Sequence, residues 1–160
     1  MTNTLIFGTG KEIDDKVKLG MRHGASTDEI ARDILSLVQE ESDTGRIPIV
    51  ARAEMIARTE VALINEIGRL DAWKQSGVVA GKQWVVAAGA CESCQAMGAK
   101  HDKPIGIYDS FAGVGTTVGK VEVWSPTPKK GLQTPPLHPN CRCTMIEILD
   151  DEDMETRYEL

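Results

Sequence analysis

Aromatic side chains are scarce in this chain: only 4% of its 160 residues are Phe, Trp or Tyr. A core must therefore be assembled from Val, Ile, Leu and Ala, each of which buries less area than a ring. Long apolar runs are missing too. No stretch approaches the roughly 20 residues a membrane-spanning helix needs. The opening residues Met1 to Gly8 carry no basic segment ahead of an apolar one, so no secretory signal is expected and a reducing cytoplasm is the expected setting. A basic excess is likewise lacking. The 18 Lys and Arg are outnumbered by 24 Asp and Glu, for a formal net charge of -6. Residues 150–160 hold six acidic residues against Arg157 alone, so most of that charge sits at one end and the body is nearly neutral. A near-neutral body is a poor footprint for tight nucleic-acid binding. The acidic end reads as a solvated tail.

Familiar catalytic signatures are absent as well. There is no H-E-x-x-H, and no H-x-E ahead of a P-C-x-x-C, which excludes the common metalloprotease and zinc deaminase patterns. The glycines of residues 111–120 have the wrong spacing for a phosphate-binding loop. His23 and His101 share no sequence context with a nucleophile and read as surface residues. No internal repeat or heptad is visible.

What the chain does have is a concentration of its four cysteines in two short knots. Cys91 and Cys94 form a C-x-x-C, and His138, Cys141 and Cys143 form an H-x-x-C-x-C. Two knuckles of this kind supply the soft and borderline donors of a tetrahedral zinc site. The rival reading, two disulfides, fits a reducing compartment poorly. Five donors compete for four places on one ion. Cys91, Cys94 and Cys141 are the core of the set, His138 is the choice for the fourth, and Cys143 is the alternate. So thiolate-rich a sphere points to a closed, structural zinc.

The pattern along the chain predicts an α+β fold. Residues 1–25 are weakly patterned and read as an irregular arm with at most one helical turn. Ser26 and Glu29 have capping-box spacing, and Ile30, Ile34, Leu37 and Val38 share a face, so a helix is expected from Ser26 to about Glu41. A longer helix follows from about Ile49 to Gln75, with Pro48 in its first turn and Gly77 as its stop. Its buried stripe is Ile56, Leu63, Ile67 and Leu70, and Gly68 suggests close packing of another backbone. Arg58, Asn65 and Arg69 line a second face, which periodicity alone reads as solvated. Strands are expected over 82–88, 120–124 and 144–149, with a short one near 105–108, forming a small antiparallel sheet that brings the two knuckles together. The loops over 98–119 and 125–140 are rich in Gly and Pro. The domain reading is an arm over 1–25, one domain over 26–149 (helices 26–76, zinc-stapled lobe 78–149) and a tail over 150–160.

The run IARTEVALINEIGRLDAWKQSGV, a strand with Trp84, the C-x-x-C and PPLHPNCRC, in that order, resemble the phage Mu F-like family of head morphogenesis or minor head proteins of tailed phages. The resemblance covers roughly residues 27–149. The family's R-T-E with a following Asn matches Arg58, Thr59, Glu60 and Asn65. Its H-P-x-C-R-C matches His138, Pro139, Cys141, Arg142 and Cys143. The resemblance implies a non-enzymatic, low-copy capsid component. Its partners would be the portal protein and other capsid or scaffolding proteins, with at most weak contact with DNA and none with membrane. Its place would be the capsid interior near the portal, after assembly in the host cytoplasm. With this resemblance, Glu60 or Arg58 is expected to tie the long helix to the knuckle lobe, with Arg142 as the natural partner. The alternative class is a zinc-knuckle nucleic-acid-binding module. A zinc hydrolase using Glu92, His101 or Asp102 is a third, disfavoured by the thiolate-rich sphere.

Overall fold

The computed structural model describes residues 10–41, 48–123 and 131–150. It is an α+β fold of two packed parts joined by one long helix. Expectations for residues 1–9 and for the tail beyond Asp150 lie outside the described residues.

The first part is three helices. Helix α1 spans Lys11–Arg22, where the sequence predicts an irregular arm. Its apolar positions are few but periodic. Ile13 and Val17, four apart, are buried against Ile30, Ile34 and Val38 of the next helix. Gly20 sits where a Cβ would meet Ile30 Cγ1 at 2.6 Å, so a side chain there would push the helices apart. Helix α2 spans Thr27–Glu41 and starts as its capping box predicts. The Ser26 hydroxyl accepts from the Glu29 N–H at 3.3 Å, and the Glu29 carboxylate accepts from the Ser26 N–H at 2.7 Å. Helix α3 runs Ile49–Ser76 and ends on Gly77, which adopts the left-handed cap conformation. At 28 residues it is about 42 Å long. Its first half contributes Ala53, Ile56 and Ala57 to the helical core, and Leu70 near its far end joins the second core. Ile67 is only partly buried. Gly68 is not a packing glycine: a Cβ there would meet nothing within 4 Å.

The second part begins at β1, Val79–Val85, three residues earlier than the pattern predicts; residues 86–88 lie beyond its end. β1 is the middle strand of an antiparallel sheet of order β2-β1-β5, between the two-residue β2 (Ile105–Gly106) and β5 (Thr144–Leu149). Trp84 pairs with Met145 and Val85 with Thr144, which sets the ends of β1 and β5 beside the two cysteine knots. The first knot is not a bare turn. It opens helix α4, Glu92–Lys100, in a stretch whose beginning the sequence reads as a knuckle and whose end it reads as loop. The strand expected over 120–124 shrinks to β4, Val121–Glu122, paired with β3, Thr117–Val118, in a separate ribbon. Trp124 and the first half of the proline-rich loop lie outside the described residues. With few aromatics available, the core is small: Trp84, Phe111, Met97 and Met145 pack with Leu70, Leu132, Leu137 and three of the cysteines. Trp84 meets Phe111 edge-on at 5.1 Å.

Glu60 corrects an expectation. It is fully buried, and neither carboxylate oxygen has a hydrogen-bond partner among the described residues. The charges it faces are Asp14 and Lys18 of α1, while Arg142 is exposed. No Glu60–Arg142 pair joins the two parts; Glu60 belongs to the helical interior. Burial, with Asp14 adding and Lys18 opposing, pushes its carboxyl up to about 7 from 4.5. The protonated form is the one this interior tolerates. Its stabilising contribution is fully present below the unfolded value near 4.5 and is lost as pH rises through about 7. The melting temperature of the wild type is therefore expected to fall from pH 5 to pH 8 by more than that of Glu60→Gln. Parallel pH profiles for the two proteins would refute this.

Candidate metal centre

Each knot is shaped by its own local chemistry. Cys91 is the N-cap residue of α4, extended at φ -67° and ψ 166°, and Cys94 lies in the first turn. This puts both sulfurs at the N-terminal end of the helix, facing His138 of the second knot. The turn into α4 is fixed by Gln95, whose amide donates to the Ala90 carbonyl at 2.8 Å. Ser93, buried beside the cysteines, accepts from the Lys120 N–H at 3.0 Å and so ties α4 to the β3–β4 ribbon.

The second knot reverses at Asn140, the one non-glycine residue with positive φ (59°) among those described. The Cys141 N–H closes the turn on the His138 carbonyl at 3.2 Å. His138 Nδ1 lies 2.7 Å from the Pro139 carbonyl oxygen. A carbonyl can only accept, so Nδ1 carries a proton, and in the neutral imidazole Nε2 then keeps its lone pair. That lone pair faces the cysteines: Nε2 is 3.1 Å from both Cys91 Sγ and Cys94 Sγ.

All five candidate donors are thus brought together. Cys91, Cys94 and His138 lie within 4.8 Å of one another, as do Cys94, Cys141 and Cys143, so the two groups meet at Cys94. Cys94 Sγ and Cys141 Sγ are 3.6 Å apart. Zinc–sulfur bonds of about 2.3 Å at a tetrahedral angle place sulfurs about 3.8 Å apart, so the spacing and the donor chemistry suit such an ion. The four cysteines are free thiols, not disulfides. Burial pushes the Cys94 thiol up to about 12. The Cys141 thiol is pushed up by its hydrogen bond to Cys143 and by burial. The same hydrogen bond pulls Cys143 down to about 5. A crowded set of sulfurs sharing protons in this way can exchange them for a cation.

The motif residues of α3 divide. Arg58 and Thr59 reach the second knot. Arg58 Nη1 donates to Asn140 Oδ1 at 2.8 Å, and the buried Thr59 hydroxyl accepts from the Asn140 N–H at 2.9 Å. Asn65 is exposed and Arg142 points to solvent. Arg69, read from periodicity as solvated, is engaged. It donates to Glu66 Oε1 and Thr144 Oγ1, each at 2.9 Å, and to the Met145 carbonyl at 2.8 Å, and its guanidinium lies over the Trp73 ring. The Thr144 hydroxyl donates to the same Glu66 oxygen at 2.6 Å. The turn of the second knot and the start of β5 that follows it are therefore both bound to α3. His101 is half-buried and hydrogen-bonds the Phe111 carbonyl, a structural role. Lys82, which the sequence gives no reason to single out, is fully buried. Its ammonium donates to the Gln133 carbonyl at 2.9 Å and lies over the Phe111 ring; burial lowers it to about 8 from 10.5.

Residues 11–146 match the family model described as Phage Mu protein F like protein. No curated protein matches the chain, and no solved structure does.

Removing Arg69 would leave Glu66 buried beside Thr144 without its cation. Arg69→Ala is expected to lower the unfolding free energy by roughly 2 kcal/mol, the cost of stranding a buried polar group. Urea titration measures it, and a loss within error of zero would show that the Arg69 network does not hold the two parts together.

Proposed function

We propose a structural role in the phage head from one premise: this chain belongs to the Phage Mu protein F like family. That is a family of structural phage proteins and points to head morphogenesis. The match over residues 11–146 carries the reading. Within it, the protein is a minor head component without catalytic activity. It associates with the portal and with other capsid or scaffolding proteins during assembly and packaging or ejection, and it remains in the virion near the portal.

The second element of the proposal is one structural zinc ion. Cys91, Cys94, His138 and Cys141 would hold it, because these four line a common hollow of about 210 Å³ at the surface, whose walls do not include Cys143. The ion would supply a tetrahedral cross-link between the start of α4 and the turn before β5. Four protein donors close the sphere and leave no position for substrate or activated water, which is why the site is read as a staple. Cys143 is buried, with its sulfur within 4.8 Å of those of Cys94 and Cys141. No helix of the described residues is long and apolar enough to cross a membrane.

Two measurements test these elements separately. Protein prepared fresh under reductant should carry about one equivalent of zinc by elemental analysis, retained in Cys143→Ser and lost in His138→Ala. The reverse pattern would transfer the fourth position to Cys143. Independently, the protein should be found in purified procapsids and virions and co-purify with the portal; its absence from both particles would contradict the head assignment. Tight DNA binding that weakened steeply with salt would replace the reading by the nucleic-acid-binding module.

A further inference from the structure

We infer that Thr59, with Arg58 in support, is a positioning residue for the metal centre, acting from α3 through the backbone of Asn140. The inference rests on the metal reading and deepens it.

Asn140 stands between the proposed ligands His138 and Cys141, and its left-handed φ of 59° turns the chain so that both side chains face α4. That conformation costs free energy for any residue but glycine, although Asn bears it better than most. Something outside the turn has to hold it. Thr59 does so with both halves of its hydroxyl. The hydroxyl proton is given to the Met55 carbonyl at 2.7 Å, and this fixes the oxygen so that a lone pair receives the Asn140 N–H at 2.9 Å. Arg58, the residue before it in the helix, donates to the Asn140 side chain at Oδ1, 2.8 Å away. Thr59 is fully buried, so solvent does not compete for its bonds.

The consequence reaches the ligand atoms. The His138 ring is locked by its Nδ1–H bond to the Pro139 carbonyl inside the same turn. Fixing the turn therefore fixes the tautomer and the aim of Nε2 as well as the place of Cys141. Partners that orient a ligand in this way are commonly worth 10- to 100-fold in metal affinity. Thr59 makes no hydrogen bond to any of the five donor side chains, so its effect on affinity has to pass through the turn.

Cobalt(II) titration of the intact protein, followed by its visible absorption and by competition with a chromophoric chelator, tests this. Thr59→Ser keeps the hydroxyl and should bind within about threefold of wild type, whereas Thr59→Val keeps the shape, loses the acceptor and should bind about 10- to 100-fold more weakly. Arg58→Ala, at an exposed position, should lose a smaller factor. The saturated spectra of all four proteins should coincide, because the ligands are unchanged. Wild-type affinity in Thr59→Val overturns the inference and leaves the metal reading intact. Should Thr59→Val fail to fold by circular dichroism, Arg58→Ala decides, and wild-type affinity there overturns it. A wild type that takes up no cobalt overturns the metal reading itself, and this inference with it.

Discussion

One hydroxyl group sits where the two parts of this protein meet. Thr59 is fully buried on α3, donates to its own helix at Met55 and accepts the backbone N–H of Asn140 from a loop 81 residues away. Around it, Arg58 holds the Asn140 side chain and Arg69 with Glu66 holds the start of β5. These are polar contacts in a partly dry seam, where each donor and acceptor is costly to leave unmatched. They fix the direction of the second cysteine knot, so the long helix acts as the rail on which the sheet part is aligned. Apolar packing alone would align it less sharply, since Leu70 is the only fully buried α3 side chain in the second core.

The sheet part needs such outside support. Two of its three main strands are longer than two residues, its ribbon is four residues in all, and its core has one Trp and one Phe. Much of its chain is loop, which loses backbone entropy on ordering without the ladder bonds of regular structure. Two devices offset this. Buried polar side chains reach loop backbone: Lys82 bonds the Gln133 carbonyl, Ser93 the Lys120 N–H. The second device is the gathering of four sulfurs and one imidazole nitrogen at the junction of α4 and β5, where one divalent ion would close the long loop between Cys94 and His138. The α3 grip and the proposed staple would both act on the same turn, the first at Asn140 and the second at His138 and Cys141.

Much of this was legible in the residues, and the gaps have physical reasons. The C-x-x-C and H-x-x-C-x-C spacings are local and chemically specific, so the donor cluster could be read directly, as could the α2 capping box and the Gly77 stop. Helix α1 is written in Ile13 and Val17, but two buried positions among charged neighbours are a weak periodic signal. Helix α4 is hidden because its buried residues are Ser93, Cys94 and Met97, too few and too mixed for a clear apolar period. Arg58, Thr59 and Arg69 stand out as types, yet nothing local says that their partners are the backbone of Asn140 and Met145. Glu60 is the clearest miss. A charged residue two places after Arg58 suggests an interface pair, whereas two steps of about 100° along the helix turn it toward α1 instead. Lys82 gives no signal at all, because a lysine in a strand is ordinarily at the surface.

The central claim is that a metal ion and the long helix jointly hold one turn. Amide hydrogen exchange on the reduced protein, before and after strong chelation, tests it most directly. The account predicts that chelation sharply raises exchange in segments 91–98 and 137–145 while α2 and the first half of α3 keep their protection. Unchanged protection in 137–145 after complete removal of bound metal would contradict it.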